Sequence, residues 1–301
     1  MTRWNVIWQV DPDDLGSCIE KVWFDEITAL VPKGTATVDY QTKPLLSASA
    51  PQAIVCASCP NQTSPSELSR YLDHLPGPTV LYHMSDEYLE VGEEVYGHCD
   101  LVIRNGSAAF DISSPLVQIP LGYAAGLHNS SGAFTKASRR TYSYAFLGME
   151  KHERESEMLP ALRRISGQSF IRKTGSWSEA MSFFGDGSVD VYKDTVFVPN
   201  PKGNWSPECN RLYDALEWGC IPLSRRYRDS AYHETYFERL LGDNPIPTFD
   251  DWPAAADFAN RLLSSGDGEL DALQAKLSDW WRAYKIELQR KVAERLAALV
   301  T

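Results

Sequence analysis

Positive charge is scarce in this chain: 29 Lys and Arg stand against 40 Asp and Glu, a net charge of -11. A surface of that sign repels polyphosphate chains except where Arg and Lys are locally gathered, which sets nucleic acid aside as a partner. Long apolar runs are missing too. No stretch approaches the ~20 residues needed to cross a bilayer, and the opening MTRWNVIWQVDPDD lacks the apolar core and small-residue cleavage site of a signal peptide. The expectation is a cytoplasmic protein with no membrane span. The cysteines at 18, 56, 59, 99, 209 and 220 do not form a spaced framework. Cys56 and Cys59 have CxxC spacing, yet no second CxxC or paired His follows, so two free thiols are expected rather than a zinc site. The GxxxxGK[ST] loop, a GxGxxG after a strand, internal repeats and low-complexity tracts are also absent.

What is present is an alternation. Of the 301 residues, 43% are hydrophobic and 23% charged, enough for two globular domains, each with its own core. Two domains imply a cleft. Residues 5–10, 52–58, 79–84, 100–105 and 115–122 read as strands by their β-branched and aromatic content, with helical spacing over 15–30 and 64–75. Ser64-Pro65 with Glu67 marks the start of the second helix. The small, polar stretch 123–140 separates this half from a second alternation: strands at 141–149, 169–175, 194–200 and 220–223, helices at 153–165 and 177–184, and helices from 253 onward. The amphipathic tail 269–300 holds no strict heptad and is expected to pack along the body of the protein. Strand, helix, strand in succession predicts an α/β fold with parallel sheets.

The densest stretch is NPKGNWSPECNRLYDALEWGCIPL, residues 200–223. Ser206-Pro207 reads as a helix start and Gly219 as its stop. Between them Leu212, Ala215 and Leu216 form the stripe that faces a sheet, while Glu208, Arg211 and Asp214 recur every three residues on another face. The preceding strand delivers this helix to the carboxyl edge of a parallel sheet, where ligands bind. Free amides and the helix dipole suit an anion, Arg211 one turn in adds bidentate contacts to phosphate, and Asp214 further along suits sugar hydroxyls. Phosphate plus hydroxyls describes a nucleotide or nucleotide sugar. A capped surface helix with ordinary solvated ion pairs is the competing account on spacing alone.

That stretch resembles the donor-site signature of exostosin-like glycosyltransferases, in which a Pro-x-Gly loop leads to Pro-Glu-Cys-x-Arg, an acid, Ala-Leu-Glu and Gly-x-Ile-Pro. It stands nearest the branch containing the ribitol xylosyltransferase. HMSDE (83–87), IPLGY (119–123) and Phe146-x-Gly148 followed by basic residues agree in order. The resemblance implies a GT-B fold: a Rossmann-like acceptor domain at 1–128 and a Rossmann-like donor domain with C-terminal helices at 139–301. It implies a hexosyl- or pentosyltransferase that moves sugar from a UDP-linked donor to a saccharide or polyol acceptor with inversion, with no cofactor or metal required. Arg211 matches the arginine that holds the donor diphosphate. Asp214 stands where a ribose-binding Glu is usual, one methylene shorter, and Glu217 is placed to share or take that role.

Around this motif the donor loop offers Lys202, Gly203, Asn204 and Ser206, with Trp205 beside them. Gly148 would let backbone approach a diphosphate that Lys151 or Arg154 neutralises; a solvated helix start is the plainer account of KHERESE. For the general base that takes the acceptor's proton, Asp86, Glu87 and His83 follow the strand 79–84, with Asp86 first among them and a helix cap as the structural alternative. Asp11 is a second cleft candidate; it also reads as half of a metal-binding Asp11-x-Asp13 or as a loop turn. Arg104, before Asn105-Gly106, is a turn neighbour within reach of ligand. A non-catalytic nucleotide or glycan binder, and an epimerase-like enzyme, remain alternatives to the transferase.

Overall fold

The computed structural model describes residues 3–13, 19–39, 52–84, 86, 88–106, 113–124, 126–151, 153–176, 179–180, 186–228 and 235–301. They form two compact units, Met1–Pro120 with Lys285–Thr301, and Leu121–Tyr284.

In the first unit β1 (Asn5–Trp8), β2 (Thr37–Val38), β3 (Ala53–Ser58), β4 (Thr79–Met84), β5 (Leu101–Asn105) and β6 (Leu116–Ile119) make one sheet ordered β2-β1-β3-β4-β5-β6. Every pairing is parallel. All residues of β3 and β4 are buried, as befits central strands covered on both faces. The helices are α1 (Lys21–Ile27), α2 (Pro65–Leu72) and α3 (Glu93–Tyr96). α2 begins as its sequence predicts: Ser64 accepts from the Glu67 amide, the Glu67 carboxylate reaches back to Ser64, and Pro65 takes the first position. β2, two exposed residues long, has no periodicity from which to read it.

In the second unit β7 (Tyr142–Met149), β8 (Gln168–Thr174), β9 (Thr195–Asn200), β10 (Ile221–Arg225) and β11 (Thr248–Phe249) form a second parallel sheet ordered β11-β10-β9-β7-β8. A single π turn, Arg154–Met158, runs into α4 (Leu159–Leu162). α5 (Asp186–Lys193), α6 (Asn210–Glu217), α7 (Tyr236–Leu241), α8 (Trp252–Ser265) and α9 (Asp267–Ala298) follow. The helix expected at 177–184 falls mostly outside the described residues, and α5 was not foreseen because its opening Asp-Gly-Ser reads as a loop. α9 buries Leu270, Leu277 and Trp281, and its buried Leu288, Val292 and Leu296 belong to the first unit. Among the described residues no helix is long and apolar enough to cross a membrane. Cys56, Cys59, Cys99, Cys209 and Cys220 are not in disulfides.

Candidate functional site: an arginine pair at the strand-order reversal

The second sheet reverses its strand order at β7, which has β8 on one side and β9 on the other. At such a reversal the connections leave in opposite directions, opening a crevice at the carboxyl ends of the strands. β7 ends there in Leu147-Gly148-Met149, and β9 ends at Asn200, leading into Pro201-Lys202-Gly203-Asn204.

Gly148 has φ +142, a conformation that L side chains rarely adopt, and a Cβ placed on it would lie 2.5 Å from Arg211 Nη2. The glycine makes room for the arginine. From α6, Arg211 donates through Nε to the Leu147 carbonyl at 2.7 Å and through Nη1 to the Cys209 sulfur at 3.1 Å. Its guanidinium also lies over the Phe146 ring, 5.3 Å from the centroid. Arg154, on the π turn, donates to the Met149 carbonyl at 3.1 Å and the Lys202 carbonyl at 2.8 Å, while its buried Nε has no partner. π turns recur at functional sites. Arg154 is 4% exposed. Burial, and then the neighbouring charge of Arg211, pull its pKa down to about 10.

Two guanidiniums therefore repel one another at the reversal, and among the described residues no carboxylate hydrogen-bonds to either. An anion would relieve both the desolvation and the repulsion. Lys151 reaches the same loop through a short hydrogen bond from its ammonium to Asn204 Oδ1. Lys202 donates its amide to Tyr227 Oη at 2.7 Å and lays its ammonium 5.9 Å from the centre of that ring.

The helix start differs from the sequence expectation. α6 begins at Asn210, with Cys209 at its N-cap and no side-chain cap, so Ser206-Pro207 is a loop and Ser206 caps nothing. Its hydroxyl is spent on the Glu208 carbonyl at 3.2 Å, and the Ser206 carbonyl accepts from the Gly203 amide at 2.9 Å. Gly203 serves this tight closure: a Cβ there would meet the Glu208 carbonyl oxygen at 2.6 Å. The cause is Glu208. Its buried carboxylate accepts from the hydroxyls of Tyr213 and Tyr236 and from the Leu121 amide, which holds residues 206–209 out of helical register.

The acids of the motif also turn elsewhere. Glu208, Asp214 and Glu217 each accept a backbone amide of the segment 121–129: Leu121 at 3.2 Å, Ala124 at 2.9 Å and Asn129 at 3.2 Å. Asn210 and Trp218 add side-chain donations to the Gly122 and Leu127 carbonyls. This segment is thereby pinned along α6. Glu217 is engaged at both oxygens, the second by Trp281 Nε1 at 2.8 Å, so the ribose role suggested for it is corrected to a structural one. Asp214 is 1% exposed and keeps one carboxylate oxygen, Oδ2, without a partner. Burial pushes its pKa up to about 8 and that of Glu208 up to about 7.

In the first unit two of the three expected bases, His83 and Asp86, are engaged within the fold. His83 is 2% exposed. Its Nε2 lies 2.8 Å from the Cys59 carbonyl, which can only accept, so Nε2 carries the proton and Nδ1 accepts from Tyr96 Oη at 2.6 Å. Both ring nitrogens are occupied. Burial, then the Arg104 charge, press its pKa down to about 4. Asp86 is buried as well, accepting from the amides of Glu90 and Val91 and from Arg104 Nη1, with ion pair and hydrogen bonds at 2.9 to 3.2 Å. Its oxygens are taken up by a framework in which Arg104 also binds the Asp86 carbonyl and Tyr96 Oη. His83 and Asp86 are therefore corrected from bases to buried scaffolding, and Arg104 from a ligand contact to their anchor. Glu87 lies outside the described residues. Asp11, just past β1, is exposed and accepts the Asp13 amide at 3.0 Å in a turn. Among the described residues no cluster of His, Cys, Asp or Glu has the makings of a metal site.

No family model matches this sequence, and no curated protein matches it. Solved structures match by fold. Anabaena HepE in complex with UDP is 11% identical with a TM-score of 0.58, over 99% of this chain and 100% of that one. The DNA-modifying enzyme beta-glucosyltransferase, crystallised with and without uridine diphosphoglucose, is 12% identical at 0.55, over 98% and 99%. Thermobaculum terrenum O-GlcNAc transferase is 11% identical at 0.52, over 98% of this chain and 66% of that one. The chain has the GT-B fold, two Rossmann-like parallel sheets with a long C-terminal helix.

Proposed function

We propose that the chain is an inverting glycosyltransferase that moves a sugar from a UDP-linked donor to a saccharide or polyol acceptor, in the manner of the exostosin-like enzymes its motif resembles. One observation carries this reading: Arg154 and Arg211, like-charged and with no carboxylate hydrogen-bonded to either among the described residues, meet at the strand-order reversal of the second sheet. The fold neighbours solved with UDP and uridine diphosphoglucose support the choice of nucleotide. A net charge of -11 favours a neutral glycan acceptor over a polyphosphate one.

In the step itself an acceptor oxygen attacks the anomeric carbon while the bond from that carbon to the diphosphate breaks. The electron pair leaves with UDP, onto oxygens met by Arg211 and Arg154, and the acceptor proton passes to a carboxylate. Guanidiniums in this position do the work that a metal does elsewhere. Asp214 Oδ2, buried and unpartnered, is the oxygen left to meet a ribose hydroxyl. With Asp86 and His83 engaged, Asp11, exposed past the carboxyl end of β1, and Glu87 are the carboxylates left from the sequence reading to serve as that base. A UDP-release assay over a panel of UDP-sugars and glycan acceptors tests the reading. Wild type should release UDP, and Arg211→Ala should lower kcat/KM about 100-fold or more. Tight UDP binding with no turnover in wild type would replace the enzyme with a binding protein, and conversion of the donor without acceptor would make it an epimerase.

A further inference from the structure

The N-cap of α6 breaks a local rule. Helix starts favour Ser, Thr, Asp or Asn, whose side-chain oxygen accepts a free amide of the first turn. Position 209 is a cysteine with the extended backbone of such a cap, φ -146 and ψ 162, yet its side chain makes no capping bond. The sulfur is turned elsewhere, to Asn200 Oδ1 at 3.0 Å and to Arg211 Nη1 at 3.1 Å.

Asn200 decides which way the thiol points. It closes β9, is fully buried, and has its Nδ2 3.4 Å from the Pro207 carbonyl and 3.2 Å from Ser224 Oγ. A carbonyl can only accept, so Nδ2 faces it and Oδ1 faces the sulfur. The thiol proton therefore goes to Asn200, and the sulfur lone pairs are left for Arg211. With Nε on the Leu147 carbonyl at 2.7 Å and Nη1 on this sulfur, the guanidinium plane is fixed at two points and Nη2 is left beside Gly148. Among the described residues Nη2 hydrogen-bonds to nothing.

Sulfur suits this place because it is a weak and neutral acceptor. A carboxylate at 209 would cap the helix and grip the guanidinium harder, but it would cancel the charge that an anion needs. A hydroxyl, on a shorter bond, would be drawn back to the amides of the first turn. We infer that Cys209 is a positioning residue for the donor diphosphate: held by Asn200, its sulfur turns Arg211 Nη2 toward the phosphate oxygens and leaves the guanidinium its charge. Helix capping is given up for that contact, as local rules are at functional sites.

The inference rests on the UDP-binding reading above and deepens it. Calorimetric titration of the full chain with UDP, a thermal melt and the UDP-release assay, run on wild type, Cys209→Ser and Cys209→Asp, test it. Wild type should bind UDP. Cys209→Ser gains a cap, so its melting temperature should hold or rise by about 2 °C, while UDP affinity and kcat each fall about tenfold because the guanidinium loses its second anchor. Cys209→Asp should melt at least as high as Cys209→Ser and bind UDP about 100-fold more weakly than wild type, since it neutralises Arg211. Stability and binding moving in opposite directions is what a merely structural cysteine would not give. Wild-type UDP affinity and kcat in Cys209→Ser, a melting temperature that falls together with affinity in both variants, or a smaller loss of affinity in Cys209→Asp than in Cys209→Ser would overturn the role of Cys209 while the UDP site stands. Failure of wild type to bind UDP would remove the donor site and this inference with it.

Discussion

Gly148 leaves the space into which the Arg211 guanidinium fits. The glycine's φ of +142 and the 2.5 Å separation between a hypothetical Cβ and Arg211 Nη2 mean that Gly148→Ala must displace the guanidinium or the strand end. The expected outcome is a UDP affinity about tenfold weaker or worse, with the melting temperature lowered only by the strain of one residue; titration with UDP beside a thermal melt checks it. A variant that binds UDP as wild type does would show that Arg211 is not the diphosphate ligand. Asp11→Asn makes a complementary case, since it removes a proton acceptor and no packing. It should cut kcat by about 100-fold or more and leave UDP affinity unchanged, as read by steady-state kinetics with saturating donor. The place of Arg211 beside the end of β7 was legible, because a helix that follows a strand through a short Gly-bearing loop brings its first turn to the carboxyl edge of the sheet. The burial of Asp214 and Glu217 under the segment 121–129 was not, because i, i+3 spacing names a helix face and says nothing of which segment will cover it.

At the scale of the element, α6 and the segment 121–129 behave as one piece, held by three carboxyls that all accept backbone amides. The sequence put the helix start at Ser206-Pro207, a sound local signal overridden by distant tyrosine hydroxyls pulling on Glu208. Such a tertiary pull leaves no trace in a window of neighbouring residues, whereas the capping box of α2 is wholly local and was read correctly. The burial of these acids has a consequence for stability. Glu208 titrates at about 7 in the fold against an ordinary 4.5, where it faces Tyr213, Tyr236 and the Leu121 amide. The folded form holds its proton where the unfolded chain has lost it. Its contribution is therefore complete below pH 4.5 and is lost as pH rises through about 7, an effect of about 3 kcal/mol at most. Glu208→Gln keeps the shape and the two acceptor contacts of the neutral acid but cannot ionise. Urea denaturation followed from pH 5 to 9 should show wild type losing stability with rising pH and the variant losing less, Asp214 accounting for the remainder.

Across the whole molecule, the parallel character of both sheets was legible because buried strands separated by helical spacing can be wired in few other ways. The order of strands, and hence the position of the reversal, depends on pairings between residues far apart in the chain and had to come from the structure. The two units carry buried groups of opposite kind, and this fixes opposite responses to pH. In the first, His83 is neutral and walled in by Arg104, Tyr96, Asp86 and the Cys59 carbonyl, with a pKa near 4 against an ordinary 6.5. Its contribution is present above pH 6.5 and lost as pH falls toward 4, because the unfolded chain takes up a proton that the fold refuses; the span is worth about 3 kcal/mol. In the second unit Glu208 and Asp214 contribute most in acid and lose that contribution as pH rises toward 7 and 8. Hydrogen exchange resolved by strand separates the two. Moving from pH 7 to pH 5, with intrinsic exchange rates corrected, the free energy of opening should fall for amides of β3 and β4 and hold or rise for those of β7 and β9. His83→Gln should flatten the first response without touching the second. Parallel losses in both units would show that general acid expansion, and not these particular buried groups, governs the pH dependence.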